Sequence, residues 1–294
     1  MHKVALSLPE GQAGPPDLAH GSIFFVGTAT VLLRYAGFTI LTDPNFLHAG
    51  DHVHLGYGLT SKRLTDPAID IDALPPVDFC VLSHYHGDHF DRIAEAKLPR
   101  HLPILTTPHA AGKLAGAGFA AASGLSTWQT AVVKKGNARV VLTAMPGKHG
   151  PPLVNGLLPP VMGSMLEFHD AHQRILLRLY ITGDTLVHDA LREIPRRFPA
   201  IDLALFHLGG TRILGVLLTM DAAQGVEAMR IVQPRKVIPI HYDDYGVFKS
   251  PLRDFQAAVE AAGLEDRVRY LRHGETYAFE VETQRAAVRR RRAQ

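Results

Sequence analysis

Short apolar runs broken by glycine open the patterned part of the chain. SIFFVG, TVLLRYAG and FTILTD are rich in Ile, Val, Phe and Thr and are punctuated by Gly27 and Gly37, which predicts paired strands. Further on, VDFCVLS, LPILTTP, ARVVLTAMP, RILLRLYITG, IDLALFHLGG and RKVIPIHY are continuous apolar runs suited to buried strands. Helical spacing falls between several of them. Thr219 and Asp221 open one stretch, in which Met220, Ala223, Val226 and Met229 recur every three residues as a core-facing stripe. After VIPIHY, Ser250 stands as an N-cap before Pro251. Leu252, Phe255 and Val259 then share a face, and Gly263 closes the helix. HFDRIAEAKL predicts another helix after a histidine-rich turn. A strand-rich first half and an alternating second half predict a layered α/β protein rather than a bundle. No short repeat or linker divides it, so one domain is expected. Residues 44–76 show neither period and are dense in Gly, Pro, Asp and His, which predicts a long functional or flexible loop.

Composition narrows the class. A chain of 294 residues with 46% hydrophobic and 20% charged residues is ordinary for a soluble globular protein. No apolar run approaches the roughly 20 residues that span a bilayer, so no transmembrane segment is expected. MHKVALSLPEGQAGPP breaks at Pro9 before any long apolar region and does not resemble a secretory signal. The single cysteine, Cys80, lies inside VDFCVLS and is expected to be a buried, inert thiol. A cytoplasmic enzyme-sized protein is the resulting expectation. The net charge is +3, part of it from the terminal VRRRRAQ, read as a solvated tail. No basic run interleaved with aromatics occurs elsewhere, so no nucleic-acid partner is expected.

The candidate chemistry starts at SHYHGDHFD, residues 83–91. In an extended chain alternate residues face one side, so His84 and His86 can aim two imidazoles at one point. Asp88 and His89 follow at a turn and project toward a second point. These residue types at this spacing suit metal ligands. Further donors belong at the same sheet edge, just after other strands. His149 follows RVVLTAMPGK, Asp184 follows LLRLYITG, and His241 follows KVIPI. Singly, each has an ordinary use as a loop histidine, a turn or cap carboxylate, or a hydrogen-bonded core histidine. Jointly they supply ligands for two adjacent metals.

The ordered series SHYHGDH, His149, Asp184 in TGDT and His241 in IPIHY resembles the ligand series of the metallo-β-lactamase superfamily. GTATVLLRYAGFTILTDPNF and LGG…TMD…AM…QPRKVIPIHY resemble one branch more closely. That branch holds the ascorbate-6-phosphate lactonase-like hydrolases and, more distantly, N-acylphosphatidylethanolamine phospholipase D. The resemblance runs from about Ile23 to Phe279. It implies an α/β fold, the four-layer αβ/βα sandwich, as a single domain over residues 21–282, with an N-terminal extension (1–20) and a basic C-terminal tail (283–294). It further implies a dinuclear site: His84, His86 and His149 on one divalent ion, Asp88, His89 and His241 on the other, and Asp184 bridging. With no cysteine ligand, the nitrogen and oxygen donors suit Zn²⁺, with Mn²⁺ or Fe²⁺ as alternatives. The implied reaction is hydrolysis of an ester-like bond, a lactone or phosphodiester, by a metal-bridged hydroxide whose proton Asp88 passes on. A β-lactamase, a nuclease or a non-catalytic metal-binding protein on the same fold are the alternatives.

Asp88, His207 and Tyr242 are the candidate catalytic residues. His207 in LALFHLGG stands where the branch carries another residue, and is a candidate phosphate donor or acid. Tyr242 and Tyr85, each beside a ligand, are candidate donors to a developing oxyanion. Asp43 in ILTDPNF either orients a ligand histidine or makes a turn. His48, His52 and His54 are expected to be solvated. Leu47, Leu55, Tyr57 and Leu59, with LVNGLLPPVMG at 153–163, would roof the site. The expected partner is thus a small-molecule substrate with an apolar portion, and a homo-oligomer is compatible with the sequence.

Overall fold

In the computed structural model, residues 3–9, 16–55, 60–151, 156 and 158–281 are described. Their apolar runs assemble into two seven-stranded sheets. One has the order Thr276–Glu280, His20–Gly27, Thr30–Tyr35, Phe38–Thr42, Phe79–Val81, Ile104–Thr106, Ala122–Gly124. The other runs Lys3–Leu8, Thr130–Lys135, Ala138–Pro146, Met162–His169, Ile175–Ile181, Leu203–His207, Lys236–Ile240. Alternate side chains of a strand face opposite ways, and here both faces of each sheet are covered. Ile23, Phe25, Leu33 and Phe38 of the first sheet meet Val140, Leu142, Phe168 and Leu179 of the second in one buried core. Tyr35 packs edge-on against Phe168 across that core, with ring centroids 5.1 Å apart.

Helices cover the outer faces. Met229 of Ala222–Val232 and Phe255 and Val259 of Leu252–Ala261 pack on Tyr180, Phe206 and Val237. On the far side, Ala94 of Arg92–Lys97 and Ala110 and Leu114 of Pro108–Gly116 pack on Leu41, Cys80 and Ile104. Helix, sheet, sheet, helix is the expected αβ/βα sandwich. Cys80 is buried within it, and no described helix is long and apolar enough to cross a membrane.

Several elements differ from expectation. The segment placed ahead of the domain contributes a strand: Lys3–Leu8 pairs in parallel with Thr130–Lys135. The alternation in KVALSL explains it, since Val4, Leu6 and Leu8 turn toward the core. The 44–76 loop contains the paired strands His52–His54 and Thr60–Lys62 and a 3-10 turn at Ile71–Ala73. Leu47 and Leu55, expected as a roof, are buried with Val53 against Tyr245 and Phe248. Pro251 rather than Ser250 occupies the N-cap position of the Leu252–Ala261 helix, without a side-chain capping bond. Tyr57, Leu59, residues 153–155 and 157 of the expected roof, and the arginine tail lie outside the described residues.

The parallel strands position the site. Phe38–Thr42 and Phe79–Val81 run parallel in one sheet, and Ile175–Ile181, Leu203–His207 and Lys236–Ile240 run parallel in the other. Their carboxyl ends deliver Asp43, His84, Asp184 and His241 to one edge, where α/β sheets characteristically bind ligands.

Candidate metal centre

Two of these strand ends are sharply bent. His241 follows Lys236–Ile240 directly with φ 62°, and Asp43 follows Phe38–Thr42 with φ 34°. A non-glycine residue in this region is strained, and such strain persists only where surrounding contacts hold it. The main-chain N–H of His241 donates to the carbonyl of Thr28 at 2.6 Å, and Thr28 is itself left-handed at φ 50°. In the histidine loop, Asp91 caps the Arg92–Lys97 helix by accepting from the Ala94 N–H at 2.7 Å. Asp88 is thereby free of capping duty.

Seven predicted ligands gather into two groups: His84, His86 and His149, and Asp88, His89, Asp184 and His241. Within each group one donor atom per residue lies within 4.8 Å of the others. His84 Nε2 is 2.9 Å from His86 Nδ1, and His149 Nε2 is 3.4 Å from the same atom. In the second group His89 Nε2 is 3.3 Å from Asp184 Oδ2, and His241 Nε2 is 3.5 Å from Asp88 Oδ2. The outward nitrogens are tied down. His149 Nδ1 lies 3.1 Å from the Leu218 carbonyl and His241 Nδ1 lies 3.2 Å from that of Leu208. His84 Nδ1 is 3.0 Å from Ser83 Oγ. Donation from these nitrogens leaves Nε2 as the inward lone pair, the usual arrangement behind a metal-binding imidazole. Six of the seven residues are buried and His86 is half-buried, so the cluster opens to solvent on the His86 side.

Burial keeps the first group neutral. It lowers His84 well below the ordinary imidazole range, with help from the rings of His89, His86 and His149, and it lowers His86 to about 4 and depresses His149. In the second group burial also disfavours charge, but the carboxylates win. Asp184 and Asp88 raise His89 and His241, while those rings hold Asp88 and Asp184 below the usual carboxylate range against the effect of burial. A divalent cation competes for the positions of those protons.

Asp88 Oδ1, His89 Nε2, Asp184 Oδ1 and His241 Nε2 are all buried without a hydrogen-bond partner. Buried polar atoms are rarely left so, and four in one cluster of nitrogen and oxygen donors fit divalent cations.

Other candidates fall elsewhere. Tyr242 donates its hydroxyl to the Leu271 carbonyl at 2.8 Å, inside the core. Tyr85 points its hydroxyl at Glu95, 3.3 Å away. Each neighbours a candidate ligand in sequence, but its hydroxyl is committed to a partner away from the cluster. The structure therefore does not bring Tyr242 or Tyr85 to the cluster. His207 is buried behind His89, the rings stacked at 5.8 Å and 12°. It joins Asp43 and His89 in a third group of donors, yet it does not enter the seven-residue cluster. Asp43 accepts from the Ser83 N–H and hydroxyl, each at 2.8 Å, as well as facing both histidines. His48 pairs with Asp70 at the surface, and His52 and His54 are exposed. Sequence reasoning passed over Arg63, Asn45 and Asp244, which are fully buried just beneath the site.

The sequence profile of the beta-lactamase superfamily domain matches residues 38–242. A metal-dependent hydrolase of Anaeromyxobacter sp. (strain K) is 26% identical over 274 residues, covering 90% of this chain and 89% of its own. An isothiocyanate hydrolase from Delia radicum gut bacteria shares the fold with a TM-score of 0.74 and 21% identity, over 89% of this chain and all of its own. CmlA, a diiron β-hydroxylase from Streptomyces venezuelae, gives a TM-score of 0.65 at 16% identity, over 92% of this chain and 55% of its own.

Proposed function

The chain belongs to the metallo-β-lactamase superfamily, and from that premise we propose that it hydrolyses an ester-like bond, a lactone or phosphodiester first, with two divalent cations. It is a metal-dependent hydrolase in the coarser sense that its relatives' names carry. The observation that carries the finer reading is the convergence of seven donors with four buried inward atoms lacking hydrogen-bond partners.

His84, His86 and His149 would hold one cation, and Asp88, His89 and His241 the other, with Asp184 between them. Bound there, the cations supply Lewis acidity that polarises the scissile bond and acidifies water. The chain's own groups do the remaining work. Asp88 offers two carboxylate oxygens, Oδ2 toward His241 Nε2 and Oδ1 without a hydrogen-bond partner. While one would hold the cation, the other can take a proton from the attacking water and deliver it to the leaving oxygen. The Leu208 and Leu218 carbonyls hold the His241 and His149 rings in orientation. Asp43 does the same for His89, with His207 steadying Asp43 from behind. The half-buried His86 marks the side from which substrate arrives. Zn²⁺ suits this donor set.

The test pairs metal analysis of the purified protein with a hydrolysis panel of lactones, phosphodiesters, β-lactams and an isothiocyanate, the last because one fold neighbour hydrolyses it. The panel is run with Zn²⁺, Mn²⁺ and Fe²⁺, on wild type and His86→Ala. Two cations per chain and metal-dependent lactone or phosphodiester cleavage, both impaired in His86→Ala, is the expected result. Metal-free, inactive wild type under metal-replete conditions overturns it.

A further inference from the structure

Arg63 and Asp244 are charged, fully buried, and separated by 181 positions in sequence. Arg63 Nη2 lies 4.0 Å from Asp244 Oδ1. The guanidinium serves several acceptors at once: Nη1 donates to the Thr28 hydroxyl and to Asn45 Oδ1, and Nε donates to the Thr65 carbonyl at 2.9 Å. Its flat face lies 5.2 Å from the Tyr245 ring centroid. Only a planar fork can meet acceptors in this arrangement, and a lysine ammonium cannot.

Those acceptors lead to the metal centre by two routes. Thr28 uses every polar atom it has. Its hydroxyl accepts from Arg63, its N–H donates to Asp244 Oδ2 at 2.7 Å, and its carbonyl receives the His241 N–H. Asn45 also accepts from the Tyr245 hydroxyl at 3.0 Å, and its amide donates at 3.1 Å to the carbonyl of Gly87, the residue before Asp88. Both routes end on the Asp88–His89–His241 side. His84 and His149 are held by Ser83 and Leu218, neither of them an acceptor of Arg63, although Ser83 Oγ also lies 3.3 Å from His89 Nδ1.

We propose that Arg63 is a positioning residue that fixes the left-handed turn of His241 and the Gly87–Asp88 backbone, and so governs uptake of the second cation without governing the first. The inference rests on the two-cation reading above. Arg63 touches neither cation nor substrate. It acts through Thr28 and Asn45, joining the N-terminal sheet to the loop after Lys236–Ile240.

The experiment titrates metal-free wild type, Arg63→Lys, Thr28→Ala and Thr28→Ser with Co²⁺, followed by absorbance and calorimetry, with thermal unfolding measured alongside. Thr28→Ala removes the hydroxyl that Arg63 holds but keeps the carbonyl that receives His241, and Thr28→Ser restores the hydroxyl. Wild type should bind in two steps. The second step should weaken roughly 10–100-fold in Arg63→Lys, the range seen when groups behind a metal ligand are lost. It should weaken in Thr28→Ala and recover in Thr28→Ser, with the first step unchanged throughout. Equal weakening of both steps overturns the inference, as does a lowered unfolding temperature with both affinities intact. If Arg63→Lys does not fold, the Thr28 pair decides alone. A wild type that shows one step or none overturns the two-cation reading, and the inference with it.

Discussion

Asp43 lies 3.4 Å from two histidines at once, its Oδ1 facing His89 Nδ1 and its Oδ2 facing His207 Nε2. One of those rings is a candidate ligand and the other stacks behind it. Asp43→Asn keeps the shape but presents an amide N–H₂ to one of two rings that need an acceptor. Cation affinity should fall by about 10–100-fold, measured by competition with a chelator of known affinity. Affinity within about twofold of wild type, well inside that range, would show that Asp43 merely forms a turn.

Cation binding should also show in stability. Asp88, His89, Asp184 and His241 each bury a polar atom without a hydrogen-bond partner, so a cation that binds the folded chain satisfies them. At a free concentration of about 100 times Kd, such a ligand stabilises by about 2.7 kcal/mol. For a chain of 294 residues that corresponds to an unfolding temperature raised by roughly 4 °C. A scan with Zn²⁺ and then with excess chelator checks it, and an unchanged midpoint would count against the site.

Asp244 gives a pH-dependent prediction that does not involve the ligands. Burial would raise its carboxyl, but His273, Arg63 and Thr65 hold it below the ordinary range. Its unfolded value is about 3.9. A group depressed on folding contributes stability above its unfolded pKa and loses it as pH falls through the folded value. Asp244→Asn leaves Arg63 buried without its counter-charge, which typically costs about 3–5 kcal/mol at neutral pH. The deficit relative to wild type should shrink once the pH falls below about 4. Urea unfolding of both metal-free proteins across that range tests the sign, and a pH-independent gap would refute it.

The clustered donors were legible because they stand just past apolar runs, with His84, His86, Asp88 and His89 sharing one short loop. Type and spacing identify donors without knowledge of packing. Direction was not legible: Tyr85 and Tyr242, offered as oxyanion donors, lie past the ends of Phe79–Val81 and Lys236–Ile240, the second beside a left-handed His241, where alternation no longer says which way a side chain turns. The strand Lys3–Leu8 was missed: KVALSL alternates, but Pro9 follows at once and the partner strand, Thr130–Lys135, lies far along the chain. Arg63 and Asp244 carried no comparable signal. A buried charge pair has no periodicity, and its members lie 181 residues apart. The short strands His52–His54 and Thr60–Lys62 were hidden because HVH and TSK are too brief and polar to stand out; Val53 packs against Tyr245 and Phe248 from a distant segment.

Gly209 sits between two strand ends at φ 88°, where a Cβ would lie 2.4 Å from the His241 carbonyl oxygen and 3.2 Å from the Phe248 ring. That oxygen belongs to backbone that is itself left-handed and tied to Thr28, so it cannot yield without moving His241. The Phe248 ring, 4.4 Å from the His241 ring between centroids, blocks the other way out. Gly209→Ala should therefore cost overpacking, typically about 1–3 kcal/mol, in addition to about 1–2 kcal/mol for the left-handed backbone. Gly263→Ala is the control, because φ is 64° there but no atom lies within 4 Å of the added methyl. It should show the backbone cost alone and bind cations as wild type does. Denaturant unfolding of both variants, with cation titration, separates the two costs. Equal destabilisation with equal cation affinity would mean that Gly209 is required for its dihedral angle and not for its approach to His241.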